Sequence, residues 1–429
     1  MRVPSEPHYS FTIPSIHDDT TLDCRIYHPR ILDEVAKDSS EKPRWRKRGI
    51  VMAHPYAPMG GSYDDRIVGI VVDEMLKAGY VVGTFNFRYG SSQPFNYLLT
   101  CDRGAHGSTH KGRTSWSGRP ELDDYITFAA CFMQYMSLIS PFPTPETIFT
   151  PDQSPARPPT RQGRGSIPSE ATLVFLGGYS YGSLILKHLP PVPSILQRFS
   201  NPLAGSAADE VLLRAHKLSD QSNLEWINQA QEAERNLRRR NHEHKTSLTI
   251  GGEETNPDKR RSSREVRRSL DVPRSLDLGH RLRSLSHRRR RHGNSTESFE
   301  RIEVDVAIPE IRYLLVSPLT PPIATLAALA FGQNLWSRSR DTEISSIGKF
   351  VSLAIYGDQD KFASAKKIRD WSDNLRAQYG SAFSSVEVTG AGHFWVEQGV
   401  EKQLRSALKG WVCEMPADEV AMTVVHNDS

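Results

Sequence analysis

Cysteine is scarce in this sequence, and so are long apolar runs. Four cysteines, Cys24, Cys101, Cys131 and Cys413, are scattered over 429 residues. None forms a C-x-x-C pair, which argues against a zinc site and against a disulfide scaffold. Free thiols in a reducing compartment are expected, and with them a cytoplasmic or nuclear address. No stretch is apolar for long enough to cross a bilayer, and MRVPSEPHYSFTIP at the start lacks a core of signal-peptide length. Hydrophobic residues make up only 38% of the chain and the mean hydropathy is −0.50. Both are low for one compact domain, so part of the chain is expected to stay unpacked. No pattern suggests a cofactor.

Charge is also nearly absent in sum, at +4, yet it is unevenly placed. Between Asn256 and His292 there are 13 Lys and Arg against 4 Asp and Glu, a local excess of nine. Set against the total of +4, the rest of the chain sums to −5. A basic surface for nucleic acid is therefore not expected: there is no motif, no interleaved aromatics, and the remainder is acidic. Within the basic segment, Arg-x-x-Ser and Arg-Arg-x-Ser spacings put Ser262, Ser263 and Ser269 in reach of a basophilic kinase. The added phosphate would offset the local positive field. The same arginines would serve as a nuclear localisation signal or a lipid-surface patch, and a solvated loop without a partner is the plain alternative.

What the sequence does have is a strong punctuated stretch, ATLVFLGGYSYGSLILKHL, from Ala171 to Leu189. Thr172–Leu176 reads as a buried strand, Gly178-Tyr179-Ser180-Tyr181-Gly182 as a turn, and the residues after it as a helix start. A strand, G-x-S-x-G and a helix in that order describe a nucleophile elbow. The turn must be so tight that the residues two before and two after the serine can carry no Cβ.

The rest of the chain reads as alternating strands and helices with short loops, the pattern of a parallel sheet. Strands are expected at 20–27, 49–53, 80–88, 311–316, 351–356 and 385–388. Helices are expected after Asp64-Asp65, from Pro120, over 207–240, over 323–335, over 363–375 and at the end of the fold through Val396, Val400, Leu404, Leu408 and Trp411. The domain is expected to comprise 10–137, 171–189 and 309–414. A disordered Pro/Thr/Arg-rich insertion is expected at 138–170. A second insertion, partly helical and then basic and disordered, is expected at 190–308, with a loose tail at 415–429. Only 207–240 has the composition of a lid.

Acyl transfer by a serine needs a base to take its proton and a carboxylate to orient that base. Both must come from loops at the carboxyl ends of strands, because the elbow opens there. His393 follows the strand 385–388, and Asp358 and Asp360 follow the strand 351–356. Ser180, Asp360 and His393 are thus the candidate triad, in the chain order Ser, Asp, His. Asp358 suits a turn-former bonded within its own loop, and Asp360 lies further out, where it can reach across. Asp358 remains open as the alternative acid.

These residues resemble the α/β-hydrolase superfamily. Within it, the chain is similar to hydrolases akin to dienelactone-hydrolase and prolyl-oligopeptidase-like esterases that carry an H-P-x-x-x-x-G-G loop, here His54 to Gly61. Asn86-Phe87-Arg88, the elbow, Gly357-Asp358-Gln359-Asp360 and Gly392-His393-Phe394 complete five motifs in order, over about half the chain. The resemblance implies a mostly parallel sheet flanked by helices and a Ser-His-Asp acyl-enzyme mechanism. It also implies an oxyanion hole from the backbone N–H groups of Tyr56 and Tyr181. His54 and Arg88 are then braces of loop and strand end. Tyr56-Ala57 stands where relatives often have a second His-Pro, and a long segment replaces the short connection after the elbow helix. The expected activity is that of an intracellular serine hydrolase on a small acyl substrate (ester, thioester or small amide). A phosphorylation-regulated interaction protein on the same fold, with a dispensable active site, is the other expectation. The motifs specify the fold and leave the substrate open.

Overall fold

The computed structural model describes residues 5–33, 45–88, 118–142, 172–247, 308–319 and 346–413. Two compact units divide the chain: 1–234 with 305–429, and 235–304. Of the second, only the end of one long helix falls among the described residues. The expected helix at 323–335, the insertion at 138–170 beyond Phe142, the tail and the three candidate phosphorylation sites lie outside them, as does Cys101.

The first unit is built on one eight-stranded sheet. Its strands are β1 (Tyr9–Pro14), β2 (Thr21–Tyr27), β3 (Arg48–Ala53), β4 (Val81–Phe85), β5 (Leu173–Tyr179), β6 (Glu310–Val316), β7 (Ser352–Gly357) and β8 (Phe383–Val388). They lie in the order β1-β2-β4-β3-β5-β6-β7-β8. β2 is antiparallel to both its neighbours, and every pairing from β4 to β8 is parallel. β4 and β7 are buried along their whole length, as expected of parallel strands covered on both faces. β1 instead has the half-buried pattern of an edge strand, with Tyr9 and Ile13 inward.

Helices cover both faces. α1 (Arg66–Lys77) starts, as expected, after Asp64-Asp65, where Asp65 caps it by accepting hydrogen bonds from the Ile67 and Val68 N–H groups. Its apolar side, Ile67, Ile70, Val71 and Met75, packs in one core with Val400, Leu404 and Leu408 of the last helix, Val400–Cys413. α2 (Arg119–Leu138) covers the opposite face. Its Phe132 ring packs against the sheet where β3 has Gly49 and β4 has Gly83. A Cβ at either glycine would come within 2.8 Å of that ring.

Two findings differ from expectation. The sheet begins at Tyr9, ahead of the first expected strand, because Tyr9 to Pro14 pairs residue for residue with β2. Further on, the helix Val192–Gln197 and the first half of the helix Ala207–Ser247 belong to the core and not to an insertion. Val192, Ile195, Phe199, Val211, Ala215, Leu218 and Trp226 are all buried there. Each of the larger aliphatic and aromatic side chains contributes roughly 1.5–3 kcal/mol on leaving water. A polar knot fixes the register: the Ser222 hydroxyl meets both Tyr9 (2.9 Å) and Tyr135 (2.8 Å), and Tyr135 meets the His28 Nε2 at 2.7 Å. This helix therefore docks on β1 and α2, and none of the hydrogen-bond partners shown for it is a residue of the expected triad.

Candidate active site

The elbow is a steric construction. β5 ends at Tyr179, the helix α3 (Tyr181–Leu186) begins two residues later, and Ser180 between them has φ 54° and ψ −112°. That conformation is unfavourable for a residue with a side chain and is held by its surroundings. The Ser180 N–H donates to the Val316 carbonyl of β6 at 2.9 Å. A Cβ on Gly178 would collide with the Gly182 carbonyl group and lie 2.5 Å from the Ser183 nitrogen. One on Gly182 would lie 2.7 Å from the Ala53 carbonyl oxygen and 2.8 Å from that of His54. The two flanking glycines thus let strand, helix and the His54 loop meet at one point.

Ser180, Asp360 and His393 converge there. The Ser180 hydroxyl lies 2.7 Å from His393 Nε2, and His393 Nδ1 lies 2.7 Å from Asp360 Oδ2. All three are buried, at 8%, 7% and 5% exposure. An ionised carboxylate only accepts, so Nδ1 carries the proton and Nε2 is left to accept from the serine hydroxyl. The second Asp360 oxygen accepts from the backbone N–H groups of Phe362 (2.7 Å) and Ala363 (2.9 Å), which hold the carboxylate still.

Asp358 does something else. Its Oδ1 accepts the Gly390 N–H at 2.7 Å, tying the strand-end loop of β7 to the loop that carries His393. Gly357 allows the same approach, since a Cβ there would strike the Ala391 carbonyl. Asp358 was expected to bond within its own loop; its contact instead crosses to the other loop. Asp360 and not Asp358 faces the imidazole.

Tyr56 and Tyr181 also come together, their rings 5.1 Å apart and edge to face. His54, Asn86 and Arg88 each have a local task. His54 is fully buried, with Nδ1 donating to the Pro55 carbonyl and Nε2 accepting the Phe87 N–H at 2.9 Å. Both bonds need the neutral ring, and burial pushes its pKa down to about 4. Asn86 accepts the Tyr63 N–H at 2.9 Å. Arg88 is buried and clamps Asp124 with Nε (2.9 Å) and Nη2 (2.6 Å), while Nη1 reaches Asp18 at 2.8 Å. His54 and Arg88 brace the loop and the strand end, as expected. Asp124 belongs to α2. Its pairing with Arg88, 36 residues away, has no signal in local sequence.

The strand order, the single antiparallel strand near one edge and the elbow at the end of the fifth strand define the architecture. The chain has the α/β-hydrolase fold. No family model matches it, and no curated protein does. Among solved structures it is similar to an α/β serine hydrolase without a lid from Xanthomonas campestris, at 12% identity over 98% of this chain and all of that one, TM-score 0.42. It is also similar to esterase 2 of Thermogutta terrifontis, at 12% over 96% and 97% of the two chains, TM-score 0.43. Est1E of Butyrivibrio proteoclasticus shares 10% over 94% and 98%, TM-score 0.39. The α/β-hydrolase architecture rests on the topology described above and not on these likenesses.

Two contributions to the site have no counterpart in the sequence reading. The Tyr179 hydroxyl donates to the His393 carbonyl at 2.8 Å. Phe362, turned inward by the Asp360 bonds, lies with its ring 4.7 Å from the His393 ring. Among the described residues no cluster of side chains could hold a metal ion.

Proposed function

We propose that the protein is a serine hydrolase that cleaves small esters, thioesters or amides through an acyl-enzyme on Ser180. The observation that carries this reading is the 2.7 Å contact between the hydroxyl of an elbow serine and an imidazole nitrogen that can only accept. In the first half-reaction Ser180 Oγ bonds to the substrate carbonyl carbon and its proton passes to His393 Nε2. Asp360 stabilises the imidazolium that results and remains a carboxylate itself. The charge developing on the carbonyl oxygen is met by the backbone N–H groups of Tyr181 and Tyr56. Donors of that kind supply ~3–4 kcal/mol each to a transition state. The bond to the leaving group then breaks and His393 returns the proton to it. Water repeats the sequence on the acyl-enzyme, with His393 again as base. The narrow geometry is matched to the fold: the serine comes from the strained turn, the acid from the end of β7 and the base from the end of β8.

A graded series of p-nitrophenyl esters from acetate to decanoate tests this. The wild type is expected to turn over at least one member, and Ser180→Ala to fall to the background rate with its circular dichroism spectrum unchanged. Turnover by the alanine variant at the wild-type rate would refute it.

A further inference from the structure

Four non-glycine residues among those described have positive φ, and three of them lie at the triad: Ser180, Ser317 (46°) and Trp395 (55°). The elbow accounts for the first. Nothing in the chemistry so far accounts for the other two, yet they are bonded to each other. The Trp395 indole N–H donates to the Ser317 hydroxyl at 2.9 Å, and both side chains are fully buried. Strained backbone at two bonded, buried residues beside a reaction centre is a reason to look for a function there.

Their neighbours suggest what it is. Ser317 directly follows β6, and its N–H donates to the Ile355 carbonyl of β7 at 2.8 Å. The carbonyl immediately before it, that of Val316, is the one that holds the Ser180 N–H. Trp395 stands two residues after His393, and its N–H reaches back to the Gly392 carbonyl at 3.3 Å. Its own carbonyl accepts from Arg66 Nη1 at 2.8 Å. The nucleophile and the base are thus referred to one place, the carboxyl end of β6: the first by a backbone bond, the second through the indole.

We propose that Ser317 and Trp395 are positioning residues, a clamp that sets His393 at bonding distance from Ser180. The inference rests on the serine-hydrolase reading above. Neither residue touches substrate. Their effect is on the distance and angle of the proton transfer, to which rates are steeply sensitive.

The test is a double-mutant cycle in single-turnover reaction with a fluorophosphonate and in steady-state turnover of the best p-nitrophenyl ester. Trp395→Phe keeps most of the ring and removes the donor. Ser317→Gly removes the acceptor and tolerates the positive φ. Each is expected to lower kcat and the fluorophosphonate rate constant about tenfold, with KM within twofold of wild type. The double variant is expected to lose no more than either single one, because one bond is broken in all three. Single variants within twofold of wild type, or a double variant that loses the product of the two effects, would overturn the clamp. Melting by circular dichroism checks folding, and if Trp395→Phe fails to fold, Ser317→Gly carries the kinetic criterion alone. An unreactive wild type would remove the hydrolase reading and the clamp with it, whereas a reactive wild type with unaffected single variants removes the clamp only.

Discussion

Replacing Asp360 by Asn changes one atom and should nearly abolish activity. The two oxygens of Asp360 have different partners. Oδ1 accepts from two backbone N–H groups, at 2.7 and 2.9 Å, and Oδ2 accepts from His393 Nδ1 at 2.7 Å. An amide has one acceptor atom. Two fixed backbone donors outweigh one imidazole, so the Asn oxygen takes the Oδ1 place and the NH2 group faces His393. A donor there forces Nδ1 to become the acceptor and moves the ring proton to Nε2. Nε2 then donates toward Ser180 and can no longer take its proton. Loss of the correct tautomer in a Ser-His-Asp triad costs about 10⁴-fold in kcat, equivalent to roughly 5–6 kcal/mol of barrier. Asp358→Asn provides the contrast: its contact with the Gly390 N–H, at 2.7 Å, is one that an amide oxygen can keep. Its kcat should stay within about fivefold of wild type. The assay is ester turnover at saturating substrate, with Tm recorded for each variant. An Asp360→Asn enzyme within tenfold of wild type, or an Asp358→Asn enzyme that is the worse of the two, would refute the assignment.

Other consequences follow from the packing. Gly178→Ala should destabilise the protein by about 3 kcal/mol and remove activity, because the new methyl group meets the Gly182 backbone and not a side chain that could turn away; chemical denaturation measures it. Arg88→Met would leave the Asp124 carboxylate buried without its guanidinium and should cost about 3–5 kcal/mol. Arg88→Met combined with Asp124→Leu should recover part of that loss. Stability should also fall with acid. His54 is held neutral down to about pH 4 in the folded chain, against 6.5 when exposed. Between those values the unfolded chain binds the proton and the folded chain does not, so stability is lost as pH falls from 6.5 towards 4. At pH 5 this one group costs about 2 kcal/mol, from 1.36 kcal/mol per pH unit. Denaturation curves at pH 7 and pH 5, with and without His54→Gln, should show that difference shrink in the variant.

What was legible in the sequence was what local sterics dictate. Gly178 and Gly182 flank the serine because strand and helix touch at those points, and the same constraint is written in five adjacent letters. The acid and the base could be placed because each follows a short apolar run, and runs of that kind end where the sheet ends. Pairings across the chain were not legible. Trp395 and Ser317 are 78 residues apart and Arg88 and Asp124 are 36 apart, and no periodicity links them. Tyr9–Pro14 has a usable signal in the alternation of Tyr9, Phe11 and Ile13, but nothing local shows that it pairs with Thr21–Ile26. The helix from Ala207 was legible as a helix. That it docks depends on Ser222 meeting two distant tyrosines, and composition alone pointed instead to an appendage.

The central claim is that Ser180 is a nucleophile with its base already in place. Incubation of the full-length protein with a fluorophosphonate, followed by peptide mass analysis, examines it without any choice of substrate. The account predicts one equivalent of adduct, on the peptide containing Gly178–Gly182 and on Ser180 within it, and none in His393→Ala. No adduct on a folded wild type, or an adduct that forms as readily without His393, would contradict it.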